Sequence, residues 1–289
     1  MDNILEIRNI SKSFAGTAFK LHDVNLDMPY GAILGLIGEN GAGKTTLIKM
    51  LMNIYGRNSG HITAFGNIDT VRDEAEFKEQ TGYVSDEDYL YFNTTVEKTA
   101  AAFSMAFRTW NSEIFSKYMK MWQIDTSKKC NTLSKGMKTK VMLALALAHE
   151  PKLLILDEPT AGLDPAARIE ILDILREFVA DGEHSVLFST HITGDLDKTA
   201  DYIAMMIDGR IAEVLSADEA QDKYAVVSGD VNDMPKKGII GAKITGNSFE
   251  ALALRTDIPN FGDASVRTPN YEDLLVHTIL QNRENRRNG

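Results

Sequence analysis

Residues 32–46 read AILGLIGENGAGKTT. Ala32 to Ile37 is almost wholly apolar, as a strand buried on both faces requires. Gly38, Glu39, Asn40, Gly41, Ala42, Gly43, Lys44 and Thr45 then satisfy the spacing G-x-x-x-x-G-K-[ST], with Thr46 next and helix character from Thr45 to Asn53. A buried strand, a glycine-rich turn and a helix, in that order, form the context in which this spacing cradles phosphate. The glycines let backbone N–H groups turn inward around anionic oxygens without a Cβ clash. The new helix points its positive end at the same anions. Lys44 places a cation between the outer phosphates, and the Thr45 hydroxyl can bind Mg²⁺.

The flanks extend this nucleus into an α/β chain. Upstream, Leu5, Ile7 and Ile10, then Leu21, Val24, Leu26 and Met28, alternate with polar residues as short half-buried strands do, and a turn is expected at Pro29 to Gly31. His61 to Gly66 suggests another short strand. From about Glu87 to Lys129 the composition shifts to Ala, Phe, Met, Lys and Glu, with helical spacings such as Phe103/Phe107 and Phe115/Met119/Trp122, so a mostly helical insert is expected. Beyond Leu133 the pattern is helix, buried strand (LLILD), helix (Pro165 to Val179, with Asp164 as N-cap), and buried strand (VLFST). Alternating buried strands and helices predict a parallel sheet with helices on its faces. Asp208-Gly209 signals a hairpin. After about Ala217, AVVSG, KGIIGAKITG and FEALAL suggest short strands and Tyr271 to Gln281 a helix, a small α+β extension, with QNRENRRNG frayed at the end.

Composition bounds the function. The 289 residues are 44% hydrophobic and 25% charged, an ordinary globular mix. The formal net charge of -10 argues against holding nucleic acid or anionic lipid by bulk charge, so neither is expected as a partner. One cysteine, Cys130, excludes an intrachain disulfide and a cysteine-rich zinc cluster and fits a reducing compartment. The purest apolar run, Val141 to Ala148, is far short of the ~20 residues a bilayer needs, and MDNILEIRNI has no signal pattern. The chain is therefore expected to stay inside the cell, with any membrane span supplied by another protein.

Phosphate loops serve many enzymes, so later landmarks decide among them. LLILDEPT, Leu153 to Thr160, is a buried strand ending in two acids. Asp157 stands where a carboxylate can hold Mg²⁺ through its water shell. Glu158 beside it is a candidate base for the attacking water. The order GENGAGKTT, LSKGM, LLILDEPT, AGLD and STH resembles the ATPase subunit of an ABC transporter over roughly the first three quarters of the chain. The LSKGM spelling, with Lys135 and Met137 in place of the common Gly and Gln, resembles a bacterial exporter subgroup and the drug- and bacteriocin-resistance exporters. PNYEDLL near the end is similar to the tail of that subgroup.

The resemblance implies a P-loop NTPase of ABC type: a parallel core sheet, an antiparallel β subdomain and a helical subdomain at about 87–140, making an ATPase domain of residues 1–218, with a small accessory region at 219–289. It implies ATP and Mg²⁺ as ligands and hydrolysis catalysed by Glu158, His191 and Lys44. Phe14 resembles the aromatic that stacks on adenine; a strand-end aromatic packed in the core is the competing reading. Ser134 and Gly136 resemble signature residues that reach ATP bound to the other subunit, although Ser134 also reads as an ordinary N-cap. Asp164 resembles the contact that couples the two sites. The row GYVSD puts Asp86 where the family usually has Gln, so Asp86 is either a metal or water ligand or part of a solvated turn, Ser85 to Asp88. The implied partners are a second ATPase subunit and an integral-membrane permease, with the protein peripheral on the cytoplasmic face of the membrane. A permease helix is expected to dock at the helical insert, near Tyr89, Tyr91 and Phe92. The alternative function is a soluble ABC-type ATPase acting on a non-membrane partner.

Overall fold

The computed structural model describes residues 2–87, 90, 93–262 and 264–288. Its N-terminal part contains β1 (Asn3–Ser13), β2 (Lys20–Pro29), β3 (Ile33–Ile37), α1 (Lys44–Leu51), β4 (Ser59–Ala64), β5 (Ile68–Asp69), α2 (Glu74–Glu79) and β6 (Thr81–Val84). The helical insert follows as α3 (Val96–Ala106), α4 (Ser112–Met121) and α5 (Lys135–Leu147). Then come β7 (Leu153–Asp157), α6 (Pro165–Val179), β8 (Ser185–Thr190), α7 (Thr193–Leu196), β9 (Tyr202–Ile207) and β10 (Arg210–Ser216). The last part is α8 (Ala217–Lys223), β11 (Tyr224–Asp230), β12 (Ile239–Thr245), β13 (Ser248–Leu254), β14 (Ser265–Arg267) and α9 (Tyr271–Asn288).

The helices begin where the side chains can cap them. The Thr95 hydroxyl accepts from the Lys98 N–H and the Ser134 hydroxyl from the Met137 N–H. Asp164 accepts from the N–H groups of Ala166 and Ala167, each at 3.0 Å, with Pro165 in the first turn. Each cap satisfies donors that no helical carbonyl can reach. Those donors hold the Asp164 carboxyl below the usual carboxylate range, the Ala167 N–H foremost.

Among the described residues the strands form three sheets. The first is antiparallel, in the order β2-β1-β4-β5. The second, in the order β10-β9-β3-β8-β7-β6, is parallel except for β10, which returns through the Asp208-Gly209 turn. Strands β3, β7 and β8 are buried along their whole length, which accounts for the near-continuous apolar runs of β3 and β7 and the Val186-Leu187-Phe188 core of β8. Their register decides the site. Ile37 lies opposite Thr190, Asp157 opposite Ser189, and Val84 opposite Leu156. The chain therefore leaves four neighbouring parallel strands at one edge, where ligands of open α/β sheets bind. The antiparallel β sheet, the parallel core and the helical insert are those expected from the sequence.

The C-terminal strands form a third, antiparallel sheet in the order β12-β13-β11-β14, with α9 packed on it. This region is continuous with the rest of the interior. Tyr224, Val226, Leu252, Leu274, Leu275 and Ile279 belong to the same buried cluster as Ile203, Met205 and Leu215 of the parallel core. The helix α8, with a capping box between Ser216 and Glu219, spans residue 218. The chain end also corrects the sequence reading: QNRENRRN is not frayed but the last two turns of α9. Two of its three arginines are held by acids distant in sequence, Arg283 by Glu39 and Arg286 by Asp208, contacts that no local pattern encodes.

Candidate active site

The loop after β3 takes its shape from its glycines. Gly41 and Gly43 have φ of 84° and 115°, a region that costs other residues strain. A Cβ on Gly43 would lie 2.6 Å from the Leu21 side chain. Gly43 is the N-cap of α1, and no side chain caps that end, so the first-turn N–H groups face the cleft ready for an anion. The Lys44 ammonium, 6% exposed, donates to the carbonyls of Gly38 (2.9 Å) and Glu39 (3.4 Å) and lies 3.5 Å from a Glu158 carboxylate oxygen.

The adjacent strand ends complete the site. The Asp157 carboxylate accepts hydrogen bonds from the Thr45 hydroxyl at 3.2 Å and the Ser189 hydroxyl at 2.6 Å. Burial pushes the Asp157 carboxyl up, the Ser189 and Thr45 donors pull it back, and the charges of Glu158 and Asp86 raise it. Glu158 follows with φ of 51°, a left-handed conformation that is strained for a side-chain-bearing residue and recurrent at functional sites. Its N–H donates to both the carbonyl and the hydroxyl of Ser189, at 3.1 Å each. One carboxylate oxygen faces Lys44 and the other lies 2.7 Å from Nδ1 of His191. A hydroxyl and a carboxylate side by side, both hard oxygen donors, suit Mg²⁺, so Thr45 and Asp157 fit that ion.

These groups border a cleft of about 480 Å³, lined by the glycine loop from Glu39 to Thr46 together with Phe19, Asp86, Lys135, Glu158 and His191. The structure thus brings together the loop, Lys44, Thr45, Thr46, Asp86, Asp157, Glu158 and His191. Phe14 stands in an aromatic group, tilted against Phe19 at 6.3 Å and edge-on to Tyr55 at 5.6 Å, with the Lys12 ammonium 5.1 Å from its ring. Phe19 is the aromatic of that group that lines the cleft. Ser134, Gly136 and Asp164 do not line this chain's own cleft; Ser134 and Asp164 act as helix caps and are exposed. Tyr89, Tyr91, Phe92 and Asp88 lie outside the described residues.

Two residues, and one contact, escaped the sequence reading. Ser189 bridges Asp157 and Glu158, and only the β7–β8 register reveals it. Phe19 carries no motif; its signal was position alone, five residues after Phe14. Lys135 stood out as a departure from the family spelling, and so did Asp86, but that the two departures meet was not visible. The Lys135 ammonium lies 3.8 Å from the Asp86 carboxylate at the cleft edge. An acid at the cleft edge is thus matched by a cation from the first turn of α5.

A strand–glycine loop–helix with a buried lysine, a histidine after the neighbouring strand and an acid pair at the end of the strand beyond it defines a phosphate-loop ATPase site. Residues 21–161 match the family model described as ABC transporter. The chain is 33% identical to the Lantibiotic transport ATP-binding protein SrtF of Streptococcus pyogenes, over 72% of this chain and 89% of that protein. It is 29% identical to the Bacitracin transport ATP-binding protein BcrA of Enterococcus faecalis, over 100% of this chain and 90% of that one. A solved ATP-binding subunit of an ABC transporter superposes with a TM-score of 0.69 at 29% identity, covering 75% of this chain and 92% of that chain. The chain belongs to the ABC transporter family: it is an ATP-binding, ATP-hydrolysing subunit of such a transporter. Among the described residues no helix is long and apolar enough to cross a membrane.

Proposed function

We propose that the protein is the Mg²⁺-dependent ATPase that powers an exporter, acting as a dimer on a separate integral-membrane permease at the cytoplasmic face of the membrane. In this reading residues 1–218 are the ATPase domain and 219–289 an accessory region. The observation that carries it is the convergence of Lys44, Asp157, Glu158 and His191 at the carboxyl edge of one parallel sheet. Export is supported by a further relative, the Nod factor export ATP-binding protein I of Rhizobium johnstonii, 34% identical over 72% of this chain and 68% of that protein.

The loop N–H groups and Lys44 bind the outer phosphates and offset their charge as hydrolysis redistributes it. Thr45 and Asp157 would hold Mg²⁺, which when bound would neutralise phosphate charge. Glu158 takes the proton of the attacking water, and His191, 2.7 Å away, orients that carboxylate and contacts the terminal phosphate. Phe14 with Phe19 forms the aromatic wall for adenine. Ser134, exposed, and Gly136, half-buried, at the start of α5 complete the partner subunit's site in trans, and Asp164 couples the two sites. Asp86 serves as a water or metal ligand whose charge Lys135 balances. ATP favours the closed dimer because its phosphates touch both surfaces, and hydrolysis removes those contacts.

The test is Glu158→Gln in the full chain with its permease. ATP binding should persist while turnover falls ~10²–10⁴-fold, the span of general-base catalysis, and an ATP-bound dimer should accumulate. Wild-type turnover would rule out Glu158 as the base. A membrane pull-down that yields ribosomes or DNA and no multi-span protein would overturn the transporter reading.

A further inference from the structure

The C-terminal helix reaches the nucleotide site. At its start, the Tyr271 N–H donates to the Asp197 carboxylate at 3.0 Å, just beyond the segment that carries His191. Along its middle, Leu274, Leu275 and Ile279 are buried, and Gly241 lets β12 approach so closely that a Cβ there would collide with the His277 carbonyl. The Gly241 N–H donates to the Gln281 side chain at 3.0 Å, and Gly241 accepts from the His277 ring at 2.6 Å. At its end, Asn282 donates to Asp208, Arg286 pairs with Asp208 at 2.7 Å, and Arg283 pairs with Glu39 at 2.6 Å.

Both of the acids held by the end of this helix belong to the phosphate loop or touch it. Glu39 lies inside the loop and lines the ATP cleft. Asp208 precedes Gly209, whose N–H donates to the Ala42 carbonyl of the same loop at 2.9 Å. Two separate routes therefore run from α9 into one nine-residue motif. A helix fixed at its start and middle can hold its end still, so the arginines arrive ordered rather than as free surface chains.

We infer that α9 is a strut for the phosphate loop and that Arg283 is a positioning residue for ATP: it holds Glu39 and cancels its charge beside the bound phosphates. This rests on the ATPase reading above. Glu39 is the one acid inside a loop that must receive a polyanion, and without Arg283 its charge opposes that anion. The pair is 58% and 49% exposed, so solvent screens it and its effect is moderate. The accessory region thereby acts on nucleotide affinity from within its own chain.

The experiment measures MgATP affinity by calorimetry on the full-length chain at low salt, with melting temperature as a control for folding. Arg283→Ala should weaken binding about two- to fivefold, the worth of an exposed pair, and Arg283→Glu should weaken it further. The charge swap Arg283→Glu with Glu39→Arg should recover most of the loss, and an unchanged melting temperature across all variants separates this effect on affinity from a loss of folding. The loss should shrink in 0.5 M salt. Unchanged affinity in Arg283→Glu, or a swap that fails to recover it while the protein stays folded, overturns the inference. If wild type itself fails to bind MgATP, it is the ATPase reading that falls, and Lys44→Ala is the matching control.

Discussion

Ser189→Ala probes the hidden part of the site. The Ser189 hydroxyl is fully buried and makes two contacts: it donates to the Asp157 carboxylate at 2.6 Å and accepts from the Glu158 N–H at 3.1 Å. The second contact is duplicated by the Ser189 carbonyl, so its loss costs little. The first is a hydrogen bond to a charged group, worth about 1.5–3 kcal/mol. Its removal leaves the buried Asp157 with Thr45 as its remaining side-chain donor, at a longer 3.2 Å, and lets burial push the carboxyl higher still. The expected destabilisation is about 2 kcal/mol, a fall in Tm of roughly 3 °C for a chain of this length. Urea unfolding followed by the fluorescence of Trp110 and Trp122 measures it. Repeating the substitution in an Asp157→Asn background isolates the charge: against a neutral amide the cost should drop by about 1 kcal/mol. A cost below ~0.5 kcal/mol, or the same cost in both backgrounds, would refute the view that Ser189 sustains the Asp157 charge.

Phe19→Ala should weaken ATP binding by about 1–3 kcal/mol, the worth of base stacking, whereas Phe14→Ala should cost less, because Phe19 is the one that borders the cleft; equal losses in nucleotide titrations would reverse that ranking. His149 is buried against Phe107, ring centroids 4.0 Å apart, and burial pushes its imidazole down, against smaller upward contributions from the Leu145 and Thr81 backbone and Glu79. Below about pH 6.5 the unfolded chain then binds a proton that the folded chain refuses, so stability should fall on acidification, by at most ~1.4 kcal/mol per pH unit from this group. His149→Leu should flatten that part of the profile between pH 7 and 5; parallel wild-type and variant curves would show that His149 is not its source.

Much of the fold was legible because its signals are local. Buried parallel strands cannot alternate, so β3 and β7 showed as near-continuous apolar runs and β8 as the run Val186-Leu187-Phe188. Helix starts showed at Ser134 and Asp164 because a cap lies within three residues of the donors it serves. The short helix α2 and the edge strand β14 were missed, the first too short for periodicity and the second stabilised by pairing with β11 rather than by its own three exposed residues. In the site, Lys44, Thr45, Asp157, Glu158 and His191 were found by motif order, while Ser189 and Phe19 were not, since what recruits them is register and packing.

By itself the sequence determined the chemistry: which glycines bend the loop, which lysine and acids meet phosphate, and that the strands carrying them are buried. Those properties follow from backbone freedom, charge and hydrophobic period, each readable over a few residues. Only the tertiary structure decided the company these residues keep. Lys135 meets Asp86, Ser189 meets Asp157, and Arg283 crosses from the last helix to Glu39 in the first motif. The reason is physical: an ion pair or hydrogen bond depends on separation in space, and a polypeptide brings residues far apart in sequence together only when its whole core is packed.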